Sequence, residues 1–129
     1  MSKEYTTELQ LDFGLDGSGL IPVVTQDINT KEVLILAFAN KEAFDETRSS
    51  GWATYWSRSR NELWKKGLTS GDMLKIEDIR INCEQNSLVY LVVPQGKGAC
   101  HAKCDDGGPH TSCYYRRITN DNKLEFIEK

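Results

Sequence analysis

Residues 21–39 read Ile-Pro-Val-Val-Thr-Gln-Asp-Ile-Asn-Thr-Lys-Glu-Val-Leu-Ile-Leu-Ala-Phe-Ala. Two runs rich in β-branched and apolar side chains, 21–28 and 33–39, flank the polar Asn29-Thr30-Lys31-Glu32. That pattern predicts a β-hairpin whose loop is longer than the two-residue minimum. Asn40 follows as a helix N-cap, with Glu42 in the first turn and Gly51 as a stop. The helix between them is short and buries Ala43, Phe44 and Thr47, the first two lying four and three residues before the third.

Outward from this unit, 52–60 alternates as a strand. Thr54, Trp56, Arg58 and Arg60 fall on one face and Ala53, Tyr55, Ser57 and Ser59 on the other. The turn-rich 63–71 supports no assignment. Runs 73–83 and 87–93 predict a second hairpin around Glu84-Gln85-Asn86. The continuously apolar 88–93 is expected to be covered on both faces. Residues 94–109 lack periodicity, and 112–119 reads as a last strand. The first seventeen residues, punctuated by Gly14 and Gly17, form an entry loop. The expected class is α+β, a small and mostly antiparallel sheet with one or two short helices.

The 129 residues suit one domain spanning 1–129, and no repeat or linker suggests a second. Hydrophobic residues at 39% plus ten glycines approach the ordinary globular share, so the fold needs no disulfide staples. A net charge of −3 argues against a general nucleic-acid binder, which needs a basic surplus. The polar opening Met-Ser-Lys-Glu-Tyr-Thr-Thr-Glu-Leu-Gln lacks a signal-peptide core, and no apolar run reaches about 18 residues. A cytoplasmic protein with no membrane span is expected. In that reducing compartment the four cysteines serve as thiols or metal ligands.

The chemistry concentrates late. Cys100, Cys104 and Cys113 share one glycine-rich segment with both histidines, His101 and His110, while Cys83 stands apart. A free cysteine is often a small buried hydrophobe, which is the bland account of Cys83. Apolar packing gives no reason to gather Cys, His and Asp together, whereas thiolate and imidazole ligands select zinc. The C-x3-C-x8-C spacing is not that of a standard zinc ribbon. A second constellation runs from Ser57-Arg58-Ser59-Arg60-Asn61 through Trp64 and Lys66-Gly67 to Thr69-Ser70-Gly71. Paired arginines and these donors suit a phosphate, although charges on a solvated edge strand also deter aggregation. A third, Asn82, Glu84 and Asn86 at i, i+2, i+4, offers three oxygens to a hard cation. The same residues also make an ordinary hairpin turn, which composition favours.

With these residues in hand, the sequence resembles the phosphoribosyl-AMP cyclohydrolase family of histidine biosynthesis. The matching stretches include Thr25-Gln26-Asp27, Tyr55-Trp56-Ser57-Arg58-Ser59-Arg60-Asn61, Gly98-Ala99-Cys100-His101 and Ser112-Cys113-Tyr114-Tyr115-Arg116, in family order across roughly residues 19–118. The resemblance implies a homodimer with zinc at the subunit interface. Cys83 would come from one subunit and Cys100 with Cys113 from the other. It also implies a zinc-acidified water that attacks C6 of an N1-alkylated purine and opens the N1–C6 bond, with His101 as proton carrier. Ser57, Arg58, Ser59, Arg60, Asn61, Trp64, Lys66, Thr69 and Ser70 would bind the nucleotide substrate.

Two departures stand out. Where the family reads Asp-Cys-Asp-x-Asp around Mg²⁺, this chain has Asn82-Cys83-Glu84-Gln85-Asn86, so the charge facing the ion falls from −3 to −1. Such a magnesium site should be weaker, relocated or absent. An insertion also separates Cys100 from Cys113, and its Cys104, Asp105, Asp106 and His110 are candidates to replace lost ligands or alter the zinc shell. A plain surface loop is the alternative. Two other functions remain open at this stage: a divergent hydrolase of another purine-like nucleotide, and a non-catalytic zinc-binding protein using all four thiols.

Overall fold

The computed structural model describes residues 2–14 and 17–129. The first hairpin is present: β1 (Ile21–Asp27) pairs antiparallel with β2 (Val33–Ala39). Helix α1 (Lys41–Ser50) follows. The Asn40 side chain accepts from the Ala43 N–H at 2.8 Å, and Gly51 ends the helix at φ 81°, a left-handed conformation that suits glycine. Ala43, Phe44 and Thr47 are buried as expected, and α1 is the one helix among the described residues.

The predicted strand over 52–60 is shorter than expected. It survives as β3 (Thr54–Ser57), which turns back through 58–61 into β4 (Glu62–Lys65), inside the stretch left unassigned. Arg58 and Arg60 therefore lie in a hairpin turn rather than on a strand face. The physical reason is Asn61: it adopts φ 53°, a conformation asparagine tolerates and a continuing strand cannot use. The second predicted hairpin is β5 (Leu74–Ile81) with β6 (Leu88–Pro94), and Glu84-Gln85-Asn86 do form its turn. The last strand is brief, β7 (Arg116–Ile118), and pairs with an unpredicted β8 (Leu124–Phe126).

Strands order as β2-β1-β6-β5 in one sheet, with β3-β4 and β7-β8 as separate ribbons. The β1–β6 contact is parallel, so the main sheet is mixed with two antiparallel pairs. Pro22 is tolerated in β1 because the β6 ladder begins only at Val23, so its missing N–H costs no bond there. Central β6 buries Leu88, Tyr90, Leu91 and Val92, in keeping with cover on both faces. The β3–β4 ribbon docks on the sheet through Tyr55. Its ring lies 5.9 Å from Tyr90 and 5.6 Å from Trp64, and its hydroxyl meets the Thr25 hydroxyl at 2.6 Å.

The entry segment does not simply dangle. Gln85, buried and at φ 55° in the β5–β6 turn, accepts from the Gln10 N–H at 2.6 Å and donates to the Glu8 carbonyl. The Asp12 N–H completes the strap on the Gln85 carbonyl at 2.8 Å.

Candidate active site

A cleft of about 330 Å³ opens along β4 and its exit, and His101 from the segment after β6 joins its lining. Arg60, Trp64, Lys66, Thr69, Ser70 and His101 line it. Six residues predicted from two separate motifs are thus brought to one place. The Lys66 side chain is buried, and its ammonium acts on the Cys113 thiol, favouring the thiolate. Cys113 in turn has the Cys100 thiol as a near neighbour, a contact whose charge it feels. Burial, then that contact and the Cys100 charge, push the Cys113 thiol above its ordinary pKa against the pull of Lys66. Two neighbouring soft sulfur donors beside one buried cation can seat a metal ion.

Twelve residues separate these cysteines in sequence, yet the insertion folds back on itself. The Ala99 N–H donates to the Thr111 carbonyl, Cys100 N–H to His110 and His110 N–H to Ala102, at 3.0–3.1 Å. Gly98 permits this closure, since a Cβ there would lie 2.3 Å from the His110 carbonyl oxygen. Cys113 is held from the other side by its N–H bond to the Leu34 carbonyl at 2.8 Å.

Ser57, Arg58 and Ser59 line an adjacent open cleft of about 500 Å³ that shares Trp64 with the first. The two arginines have different partners. Arg58 stacks 4.0 Å from the Phe38 ring centroid, whereas Arg60 reaches Ser57 Oγ and Glu62. Asn61 serves the hairpin turn between β3 and β4.

Cys83 is exposed in the β5–β6 turn, away from the other thiols. Cys113 hangs on outer strand β2, and β2 and β5 are opposite edges of the sheet. Three strand spacings are about 14 Å, and the offset along the strands adds about 10 Å. Thiolates on one zinc sit only about 4 Å apart, so Cys83 cannot join its own Cys113. Beside it, Asn82 Oδ1 accepts from the Asn86 and Ser87 N–H groups at 2.9 and 3.0 Å, and Asn82 Nδ2 donates to Asn86 Oδ1 at 2.7 Å. Both amides are occupied in closing the turn, which leaves the Glu84 carboxylate alone.

The inserted residues gather elsewhere. Cys104, His110 and Glu128 bring one donor atom each within 4.8 Å of one another, a group able to hold a metal ion. Burial and the carboxylates of Glu128 and Asp106 raise the Cys104 thiol's pKa. The Thr111 N–H and hydroxyl lower that of Glu128. The Asp105 N–H binds the Lys129 carbonyl, and Asp106 Oδ1 accepts from the Gly108 N–H. Within one chain these residues face the C-terminal tail, whereas the Asn82–Asn86 turn faces the N-terminal segment. Sequence reasoning missed Glu128, because a glutamate in a polar tail carries no local sign of a distant partner.

The profile of the family described as phosphoribosyl-AMP cyclohydrolase matches residues 35–115. The chain is 49% identical over 111 residues to the "Phosphoribosyl-AMP cyclohydrolase" of Archaeoglobus fulgidus, covering 86% of this chain and 96% of that one. It is 50% identical over 103 residues to the protein of the same name from Methanospirillum hungatei, covering 80% and 73%. It also matches the "Histidine biosynthesis bifunctional protein HisIE" of Aquifex aeolicus at 41% over 117 residues, covering 91% of this chain and 53% of that protein.

Proposed function

The chain belongs to the phosphoribosyl-AMP cyclohydrolase family, and from that premise we propose that it hydrolyses the N1–C6 bond of the adenine ring of 1-(5-phosphoribosyl)-AMP in histidine biosynthesis. The observation that carries the reading is the cleft that gathers Arg60, Trp64, Lys66, Thr69, Ser70 and His101 beside the Cys100–Cys113 pair. The enzyme would work in the cytoplasm; among the described residues no helix is long and apolar enough to cross a membrane.

The thiol pair fits zinc: two soft donors side by side, with the buried Lys66 ammonium close to one of them. Cys100 and Cys113 of one copy with Cys83 of a second would make the three-ligand set, giving a homodimer with a shared site. Bound there, zinc supplies Lewis acidity and a water acidified toward neutral pH as the hydrolytic nucleophile.

The chain's own residues do the rest. Arg60 at the cleft mouth, with the hydroxyls of Thr69 and Ser70, offers charge-assisted donors to a substrate phosphate. Trp64 presents an aromatic face to the base, and Tyr55 fixes that indole from behind. His101, exposed in the cleft next to Cys100, would carry a proton to the cleaved ring nitrogen. Arg58, immobilised on Phe38, extends the cationic rim into the neighbouring cleft.

Magnesium does not fit the residues at Asn82–Asn86. One carboxylate and two amides already committed to the turn fall short of the carboxylate set that the ion favours. No step is assigned to it.

The test is turnover of phosphoribosyl-AMP by the purified chain, followed by the ultraviolet change on ring opening. Activity should disappear with a chelator and return with zinc. A zinc-loaded, folded protein that leaves phosphoribosyl-AMP intact overturns the reading.

A further inference from the structure

We propose that Cys104, His110 and Glu128 bind a zinc ion of their own, one per chain, which fastens the inserted loop to the C-terminal tail. This metal site is separate from the Cys100–Cys113 pair. Only its consequence for His101 rests on the function proposed above.

The geometry is that of one coordination face. Cys104 Sγ lies 3.4 Å from His110 Nδ1 and 3.8 Å from Glu128 Oε1, and those two atoms are 3.0 Å apart. The three contacts run between one sulfur, one imidazole nitrogen and one carboxylate oxygen, so the donors form a single triangle. Tetrahedral zinc with ordinary bond lengths places sulfur about 3.6 Å from nitrogen or oxygen, and nitrogen about 3.4 Å from oxygen. Each observed edge is within about 0.4 Å of that triangle, a mismatch that small side-chain rotations absorb. Thiolate, imidazole and carboxylate together select zinc over magnesium or calcium.

The donors are also held from behind, as metal ligands usually are. His110 is 2% exposed, and its ring stacks on Tyr115 at 3.7 Å with planes 7° apart. The Thr111 N–H and hydroxyl each hold a Glu128 oxygen at 2.8 Å. The Asp105 and Asp106 carboxylates add to the negative charge around the Cys104 thiol, which a divalent cation would offset. Three protein donors leave the fourth position to water.

Such an ion would act on the neighbouring cleft through the backbone. The His110 carbonyl accepts from Cys100 N–H, and the His110 N–H donates to the Ala102 carbonyl. His101 sits between those two anchors. Fixing the His110 ring to Cys104 and the tail therefore fixes both flanks of His101, which makes His110 a positioning residue.

The deciding experiment uses the full chain carrying Cys83→Ser, Cys100→Ser and Cys113→Ser, so that Cys104 is its one thiol. Cobalt titration should saturate at about one ion per chain, with tetrahedral visible bands and one thiolate charge-transfer band. Adding Cys104→Ser should abolish both, and Glu128→Gln should weaken binding at least tenfold. A folded triple variant that binds no cobalt or zinc overturns the proposal. Should the triple variant fail to fold, zinc per chain in the otherwise native protein decides it. Cys104→Ser should lower the content by one ion, and equal content overturns the site. That difference holds whatever Cys100 and Cys113 bind, so failure of the catalytic reading is read separately.

Discussion

Mixing two inactive variants should restore activity if the catalytic zinc is shared between copies. In a two-fold dimer each site would take Cys83 from one copy and Cys100 with Cys113 from the other. Dimers of Cys83→Ala chains then contain no intact site, and neither do dimers of Cys113→Ala chains. A mixed dimer contains one intact site and one that lacks both cysteines. Random exchange of equal amounts makes half the dimers mixed, so about one quarter of native sites return. The sheet supplies the reason to expect this: Cys83 lies in the turn that leaves edge strand β5, whereas Cys113 is bonded to the opposite edge strand β2. The separation is about 14 Å across the strands, against about 4 Å between thiolates on one zinc. The assay is phosphoribosyl-AMP turnover and zinc content after subunit exchange, with mixed dimers counted by native mass spectrometry on a mass-tagged variant. Mixed dimers present at half of the total, with turnover no higher than in the parents, would refute the shared site.

Arg60→Ala should raise KM for phosphoribosyl-AMP about tenfold or more with kcat and zinc content little changed, because a phosphate contact acts on ground and transition states alike; metal loss would make the residue structural. Thr47→Val should destabilise the protein by about 2 kcal/mol, since the Thr54 N–H loses its buried acceptor at 3.0 Å. For a chain of this length that is roughly 7 °C in Tm, and a shift below about 2 °C in calorimetry would contradict the contact. Gly98→Ala should open the Cys100–His110 ladder and reduce cobalt binding by the Cys100–Cys113 pair, while an unchanged cobalt spectrum would show that the close approach is not needed. Magnesium added to zinc-loaded enzyme should change turnover less than twofold; strong activation abolished by Glu84→Gln would show that the altered turn still binds the ion.

What the sequence determined by itself was what local chemistry can signal. Asn40 and Gly51 announce the ends of α1 because capping and left-handed φ are properties of the residue and its immediate neighbours. The two hairpins read cleanly because polar turns interrupt apolar runs, and the Tyr55–Asn61 and Gly98–His101 motifs carried the family. The extent of β3 was not legible in this way, since alternation continued through Arg60 while Asn61 turned the chain back to pair with β4. Nor could sequence place β1 parallel to β6, because strand partners far apart along the chain are chosen by burial of both faces in the completed core. The tertiary structure alone decided which thiols meet. Backbone pairing across the insertion restores Cys100 to Cys113, and sheet width keeps Cys83 away from both. Glu128 joins Cys104 and His110 only because Asp105 N–H binds the Lys129 carbonyl and Ile127 N–H binds that of Tyr115, laying the tail along the loop. Those contacts span 12 to 24 residues, a distance over which no residue pattern signals the partner.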